Sequence, residues 1–240
     1  MTLKVSGLSK EYKKKRALDN VDLEFTAGVC GLLGPNGSGK STLLNIICGA
    51  VKANSGKILL DENDVSSIPL SYRKIIRVLY QKPPLIPEYT VIQTMEYGGV
   101  LYGISKKEMR AQADELLAKV GLSDCTHLKT SSLSGGMKQR LAIAQMLLGD
   151  AKILLFDEPT AGLDITERLK FKKIVEGLKK EHIIIYSTHI YSDLEDLADR
   201  LVVLENGKCS YSADIGCIEG MSVQEFVEKG LETGEWQKHI

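Results

Sequence analysis

The chain has 240 residues, of which 43% are hydrophobic and 26% are charged, proportions typical of a globular domain with a packed core. Lys and Arg together number 31, as do Asp and Glu, so the formal net charge is zero. This balance argues against the basic surface of a nucleic-acid-binding protein, and we expect no nucleic-acid partner. No run approaches the roughly 18 apolar residues of a membrane-spanning helix, and the first residues show no secretory signal.

The five cysteines are scattered and form no CxxC pair, which is typical of reduced thiols in a cytosolic protein. Short apolar runs separated by polar turns fill the first 33 residues and predict antiparallel strands that lead into a buried strand. A glycine-rich loop and an apolar helix then follow. The predicted strands are 3–8, 21–25, 29–33, 57–60 and 76–80, and the predicted helix is 41–47.

The pattern changes at Pro83, and prolines at 84 and 87 also interrupt it. Three helical stretches follow, of which 106–120 is the clearest because five of its apolar residues share one face: Met109, Ala113, Leu116, Leu117 and Val120. From residue 151 strands and helices alternate again, with strands at 153–156, 183–187 and 201–204 and helices at 167–180 and 193–198. This alternation predicts an α/β fold with a mixed, mainly parallel sheet.

We therefore expect one domain over 1–240, with an α/β core formed by 1–82 and 151–213. Its N-terminal part would be an antiparallel β subdomain, and a helical subdomain at 83–150 would interrupt the core. The remaining 214–240 would be a short polar tail with a helix near 223–231.

A phosphate-binding loop is predicted at 34–41, where the sequence Gly-Pro-Asn-Gly-Ser-Gly-Lys-Ser fits the pattern G-x-x-x-x-G-K-[ST]. The glycines let the backbone wrap a phosphate with its N–H groups pointing inward, and the following helix directs its positive end at the anion. Lys40 can reach the β- and γ-phosphates, and the Ser41 hydroxyl can bind Mg²⁺. The expected nucleotide ligands are Gly34, Pro35, Asn36, Gly37, Ser38, Gly39, Lys40, Ser41 and Thr42.

Two acids end an apolar strand at 153–158, where carboxylates of an open α/β sheet face a ligand. Asp157 suits Mg²⁺, which prefers oxygen ligands, and Glu158 is placed to polarise the attacking water. Acids at the end of a strand are commonly an ordinary surface turn. Their combination with the loop at Gly34 favours the catalytic interpretation.

A third motif is the sequence Leu-Ser-Gly-Gly-Met-Lys-Gln-Arg at 133–140. Ser134 before two glycines and an apolar helix is a helix N-cap with exposed backbone N–H groups, although a simple N-cap does not explain the paired glycines. This run resembles the signature motif of ABC ATPases, and the resemblance covers about the first 210 residues. It implies a P-loop NTPase fold of the ABC type, with ATP and Mg²⁺ as cofactors.

The other motifs of that family appear in order. Gln81 resembles the Q-loop residue, which would join Ser41 and Asp157 at Mg²⁺, and Asp164 ends a run similar to the D-loop. His189 resembles the histidine that contacts the γ-phosphate, and Tyr12 resembles the aromatic residue that stacks on adenine. On residue type alone, His189 could be a core histidine and Tyr12 ordinary strand packing. The implied catalytic set is Glu158, His189, Gln81 and Lys40.

The resemblance also implies partners. Ser134, Gly135, Gly136 and Asp164 would contact ATP held by a second subunit, so that two ABC ATPase subunits pair head to tail as a homodimer or heterodimer. An integral membrane permease would dock against the helical insert and hold the chain at the cytoplasmic face of the membrane. The stretches 164–168 and 188–195 look most like ATPases of bacterial antibiotic and multidrug exporters, which favours export over import. A soluble ABC ATPase that drives a cytosolic assembly, such as iron–sulfur cluster building, is the alternative, and a non-catalytic regulator is disfavoured by the intact Asp157-Glu158 pair.

Overall fold

A six-stranded sheet organises the molecule, and a second, four-stranded sheet packs beside it. The computed structural model describes residues 1–13, 15–218, 220–234 and 236. In the six-stranded sheet the order is β10-β9-β3-β8-β7-β6, with all neighbours parallel except β10, which is antiparallel to β9. Its strands are β3 (Gly28–Leu33), β6 (Ile76–Leu79), β7 (Ile153–Asp157), β8 (Ile183–Ser187), β9 (Arg200–Glu205) and β10 (Lys208–Asp214).

The four-stranded sheet is antiparallel and has the order β2-β1-β4-β5. Its alternating buried and exposed positions show that one face covers the core while the other faces water. Its strands are β1 (Leu3–Tyr12), β2 (Lys15–Phe25), β4 (Ser55–Leu60) and β5 (Asn63–Asp64).

Seven α-helices surround the sheets in the described part of the chain, and none of them is long and apolar enough to cross a membrane. Three of them, α3 to α5, lie between β6 and β7, where the sequence predicts helices. The helices are α1 (Lys40–Ile47), α2 (Leu70–Ile75), α3 (Val91–Tyr102), α4 (Lys106–Lys119), α5 (Gly135–Met146), α6 (Ile165–Glu176) and α7 (Val223–Thr233).

The central sheet is buried on both faces, which separates two apolar clusters. Successive residues of β7 alternate between them: Leu154 and Phe156 pack with the helices on one side, while Ile153 and Leu155 pack with the antiparallel sheet and α1 on the other. Burial on both faces explains why these strands read as continuous apolar runs.

The predicted helix at 193–198 is wrong. The structure has only a short 3₁₀ helix, Tyr191–Asp193, followed by turns. Asp193 and Leu194 are both fully buried, the first hydrogen-bonded to Thr160 and the second packed on Gly31. These tertiary contacts outweigh the helical pattern of the segment.

Candidate nucleotide-binding site

Four loops meet at one edge of the six-stranded sheet. β3, β8, β7 and β6 are consecutive parallel neighbours, so their carboxyl ends share that edge. The segments after them carry the loop 34–39, His189, Glu158 and Gln81. Ligands of open α/β sheets bind outside the carboxyl ends of the strands. The topology thus brings together four segments that the sequence marks separately.

The loop 34–39 joins β3 to α1 without side chains at its tightest points. Gly34 has φ 147°, and a Cβ atom there would overlap the carbonyl oxygen of Leu204 in β9. Gly39 precedes α1 and provides no side-chain cap, so the first backbone N–H groups of the helix have no such partner. Ser38 Oγ is buried and has no hydrogen-bond partner among the described residues. These spare donors fit a phosphate group.

Lys40 is the buried cation of this loop, with 6% of its side chain exposed. Its Nζ donates to the carbonyl oxygens of Gly34 at 2.6 Å and Pro35 at 3.2 Å, and it lies 4.0 Å from Glu158 Oε1. Burial lowers the pKa of Lys40, although the carboxylates of Glu158 and Asp157 oppose that shift. A positive charge is therefore held against the backbone of the loop and beside an acid.

Asp157 ends β7 and is held by two hydroxyl groups. Its Oδ1 accepts hydrogen bonds from Ser41 Oγ at 3.1 Å and from Ser187 Oγ at 2.7 Å. Ser187 is its register partner on β8, so the sheet itself sets the second contact. The close pair of Ser41 and Asp157 oxygens fits Mg²⁺, which is bound through one or two protein oxygens together with water and phosphate.

Glu158 and His189 form a hydrogen-bonded pair. His189 Nδ1 lies 2.7 Å from Glu158 Oε2, and the backbone N–H of Glu158 donates to the carbonyl oxygen of Ser187 at 3.0 Å. Glu158 has φ 51°, a left-handed conformation that is uncommon for a residue with a side chain. This turn carries the carboxylate away from the strand direction and towards Lys40. An acid, an imidazole and an ammonium group thus converge at one point.

A cavity of about 440 Å³ opens over these groups. Tyr12, at the end of β1, is 44% exposed at its rim, with Lys10 Nζ 5.0 Å from the centre of its ring. The structure therefore places a flat aromatic surface in the lining of the cavity that also contains the acid–imidazole pair. The cavity is lined by Tyr12, Lys15, Ala17, Asn36, Gly37, Gly39, Lys40, Ser41, Thr42, Gln81, Glu158 and His189.

Some predicted site residues do not line the cavity. Gly34, Pro35, Ser38 and Asp157 belong to its loops and act through the contacts described above. Four others, which resemble the signature and D-loop residues, are absent from its lining within one chain: Ser134, Gly135, Gly136 and Asp164.

Those residues lie instead at the adjoining starts of α5 and α6. Ser134 caps α5 by accepting a hydrogen bond from Met137 N at 3.2 Å, and Asp164 caps α6 by accepting one from Glu167 N at 2.9 Å. Gly136 faces Glu167 so closely that a Cβ atom would overlap its carboxylate. Ser134 and Gly135 are exposed. The structure thus presents an uncovered helix start outside the cavity.

Two contacts of the site have no counterpart in the motifs. Ser187 holds Asp157, and its position one strand away, just before Thr188 and His189, is the only signal for it in the sequence. Lys15 lines the cavity, with its Nζ close to Gly37. The sequence run 13–16 is typical of a solvated turn, with a nucleotide-phosphate or lipid contact as the less favoured interpretation, and the fold brings Lys15 close to the loop.

Comparison with known proteins identifies the family. The family model described as ABC transporter matches residues 18–161. NatA, an ABC transporter ATP-binding protein of Bacillus subtilis, is 35% identical over 83% of each chain. SrtF, a lantibiotic transport ATP-binding protein of Streptococcus pyogenes, is 37% identical over 86% of this chain and 88% of its own. CysA of Chlorella vulgaris, a probable sulfate/thiosulfate import ATP-binding protein, is 36% identical over 87% and 89%.

Solved structures agree with the fold. An ATP-binding subunit of an ABC transporter superposes with a TM-score of 0.83 at 27% identity, covering 95% of this chain and 99% of its own. The dimeric, post-hydrolysis structure of the ABC cassette MJ0796 bound to ADP and Pi gives a TM-score of 0.78 at 28% identity, covering 89% and 98%. The predicted P-loop fold of the ABC type is confirmed. The chain belongs to the ABC transporter family as an ATP-binding subunit, and it is an ATPase.

Proposed function

We propose that this ATPase powers a transporter as one half of a head-to-tail pair. The observation that carries its hydrolytic part is the Glu158–His189 hydrogen bond of 2.7 Å, beside Lys40 in the lining of the cavity. A carboxylate in this place can orient a water molecule for attack on a γ-phosphate. The imidazole can hold that carboxylate and contact the phosphate, together with the Gln81 side chain.

The remaining cavity residues fit ATP as the ligand. The loop 34–42 would hold the phosphates through its amides and Lys40, and the exposed face of Tyr12 would stack on adenine. We propose Ser41, Asp157 and Gln81 as the Mg²⁺ ligands. When bound, the metal would neutralise charge on the β- and γ-phosphate oxygens.

The signature and D-loop residues are proposed to complete the cavity of a second subunit. Ser134 and Gly135 are exposed at the start of α5, where backbone N–H groups suit an anion, yet they lie outside the cavity of their own chain. Gly136 and Asp164 belong to the same surface. The dimeric structure of MJ0796, which this chain resembles at a TM-score of 0.79, supports such a pair.

An apolar groove on the other side of the Gln81 segment is the proposed docking place for a membrane-spanning partner. Its volume is about 280 Å³, and residues from β6, α3 and α5 line it. Three apolar side chains of α3 are unusually exposed here: Tyr97 at 41% and Leu101 at 60%, which line the groove, and the adjacent Val100 at 77%. Exposed apolar surface of this kind marks an interface.

A short helix of a permease would fill this groove. In that arrangement 83–150 is a helical subdomain that links the permease to the α/β core of 1–82 and 151–213, with 214–240 as a tail. The chain would lie at the cytoplasmic face of the membrane. Co-expression with the permease, followed by membrane fractionation and co-purification, tests this proposal. The chain should be recovered with the permease in the membrane fraction, and a soluble assembly protein as the main co-purifying partner would contradict the proposal.

Export of a drug, peptide or lipid-like molecule is the direction that we propose. The stretches 164–168 and 188–195 support it, as does the similarity to lantibiotic transport SrtF. Similarity to the import protein CysA is of the same size, so uptake and efflux in membrane vesicles must be compared directly. ATP-dependent uptake without efflux would exclude the proposed direction.

Glu158→Gln tests the catalytic proposal. The amide keeps the size of the side chain but orients water poorly, so hydrolysis should fall by about 100-fold or more while ATP still binds. The ATP-bound pair should then accumulate as a dimer in size-exclusion chromatography with ATP and Mg²⁺. A variant that hydrolyses ATP at the original rate, or that stays monomeric with ATP, would count against the scheme.

A further inference from the structure

Four polar side chains, which we call the Asp193 cluster, are packed between the segments that follow β7 and β8. Asp193 is 0% exposed and accepts a hydrogen bond from the hydroxyl of Thr160 through Oδ2. The phenol of Tyr186 lies 3.5 Å from the same oxygen, and burial raises its pKa, so that it remains a donor. Asp193 Oδ1 lies 3.6 Å from Arg168 Nε. A fully buried carboxylate thus has two hydroxyl groups at Oδ2 and an ion pair at Oδ1, which accepts no hydrogen bond from the described residues.

The cluster joins the segments that carry the two reacting side chains. Thr160 comes two residues after Glu158, and Asp193 comes four residues after His189. The contact between Thr160 and Asp193 therefore closes a ring of interactions whose other side is the Glu158–His189 hydrogen bond. Glu158 has a left-handed backbone conformation that its surroundings must maintain.

A helix anchors this ring from a third direction. Arg168 and Lys172 are one turn apart on α6, and Lys172 Nζ donates to the carbonyl oxygen of Ser192 at 2.9 Å. The helix begins at Asp164, the residue proposed to approach the second subunit. Two cations of α6 thus hold the segment that contains Asp193.

We infer that Asp193 is a positioning residue for ATP hydrolysis, because its buried carboxylate fixes Thr160 and the His189 segment so that Glu158 and His189 meet. The inference rests on the proposed roles of those two residues. Substitution of Asp193 should misplace the Glu158 and His189 side chains while leaving the phosphate loop and Tyr12 intact. Small misplacements are sufficient to slow a reaction that depends on positioning.

The first test is Asp193→Asn, which keeps the size of the side chain and removes the charge. We expect kcat to fall by about tenfold or more, with KM for ATP within about twofold, because the contacts of the nucleotide are unchanged. The matched control is Asp196→Asn, an exposed acid three residues along the same segment, which should retain the original kcat. Equal kcat values for the two variants would overturn the inference.

A second pair of variants tests the contact from its other end and serves if Asp193→Asn does not fold. Thr160→Val has the same shape but lacks the hydroxyl group, whereas Thr160→Ser retains it. Thr160→Val should lower kcat at constant KM, and Thr160→Ser should restore most of it. If Thr160→Val turns over ATP like the original chain, the hydroxyl does not position the pair and the inference fails.

A His189→Ala background separates positioning from general loss of structure. If Asp193 acts through the pair, Asp193→Asn should lower kcat no further once the His189 imidazole is absent. If Asp193→Asn instead lowers kcat by the same factor in both backgrounds, Asp193 has a merely structural role. Glu158→Gln and His189→Ala alone test the proposed function itself. Full activity in both would reject the proposed reaction centre. Low kcat in Glu158→Gln and His189→Ala, together with an unchanged kcat in Asp193→Asn, would reject only the positioning role of Asp193.

Discussion

The side-chain amide of Gln139, on the buried side of α5, donates a hydrogen bond of 2.7 Å to the backbone carbonyl of Gln81. Gln81 lines the nucleotide cavity, whereas α5 begins at the exposed Ser134. One hydrogen bond therefore connects the cavity of a chain with the helix proposed to serve its neighbour. The Oε1 atom of Gln139 is buried and has no hydrogen-bond partner in the described part of the chain.

Replacement of Gln139 should slow hydrolysis more than it weakens the fold. Gln139→Leu removes one hydrogen bond together with one unpartnered oxygen, so the free energy of unfolding should change by about 1 kcal/mol or less. The backbone carbonyl of Gln81 loses its hydrogen bond to α5, so the Gln81 side chain is held less firmly in the cavity and kcat should fall by about tenfold. Steady-state kinetics and urea unfolding measure the two effects.

Gln139→Glu is the matched variant, because its carboxylate would face a carbonyl oxygen without a proton to donate. It should destabilise the fold by about 2 kcal/mol. If Gln139→Leu instead left kcat unchanged, the hydrogen bond would not transmit the position of α5 to the cavity.

ATP affinity should decline at alkaline pH before the ordinary pKa of lysine is reached. Burial lowers the pKa of Lys40 from 10.5, and the charged form is the one that binds phosphate. Affinity thus falls as pH rises through the lowered value. The effect on the stability of the free protein has the opposite sign. The unfolded chain binds the lysine proton more tightly than the folded chain does, so charged Lys40 destabilises the fold below its lowered pKa. This destabilisation fades as pH rises from the lowered pKa to 10.5.

Titration of the ATP dissociation constant from about pH 7 to about pH 10 measures the decline. Lys40→Arg is the control, since its guanidinium remains charged throughout that range. A parallel decline in the arginine variant would mean that another group, and not Lys40, titrates.

Gly136→Ala should destabilise the chain because the new methyl group overlaps the carboxylate of Glu167. That carboxylate is held by Arg140 at 3.3 Å and Lys170 at 2.8 Å, so it cannot move without losing these contacts. We expect a loss of about 1 to 3 kcal/mol in the free energy of unfolding. The midpoint temperature of thermal unfolding of Gly136→Ala should rise when Glu167→Ala is added. No improvement would show that the clash lies elsewhere.

Ser134→Arg should abolish ATP-driven pairing and spare nucleotide binding by the single chain. Ser134 is exposed and outside the cavity of its own chain, so a large side chain there should disturb only a partner. Fluorescent ATP binding and size-exclusion chromatography in the Glu158→Gln background separate the two effects. Equal weakening of ATP binding in the monomer would contradict the proposed surface.

The fold could be predicted where apolar runs are long and clearly bounded. β3, β7 and β8 were evident because burial on both faces gives continuous apolar sequence. β10 was missed because Lys208–Asp214 consists mostly of small and polar residues at the edge of the sheet, with only Tyr211 buried. α2 was missed because six residues after Pro69 carry too little helical periodicity.

The candidate site could be predicted to the level of loops for the motifs at 34–41, 81, 157–158 and 189, since these follow or end parallel strands that finish at one edge. Contacts between strands could not be predicted in the same way. The hold of Ser187 on Asp157 depends on the register of β7 and β8, and the burial of Asp193 depends on an irregular segment. Such contacts require the relative placement of side chains that are distant in sequence.

Because Ser134 and the phosphate loop of one chain do not share a cavity, two damaged chains should rescue each other. Mixing Lys40→Ala with Ser134→Ala, a smaller change at the same position, puts both lesions into one pocket of a mixed pair and leaves its other pocket whole. Each variant alone has no intact pocket, so activity regained on mixing would come from the mixed pairs alone. The activity of such mixtures would therefore report how many intact nucleotide sites a pair needs for hydrolysis.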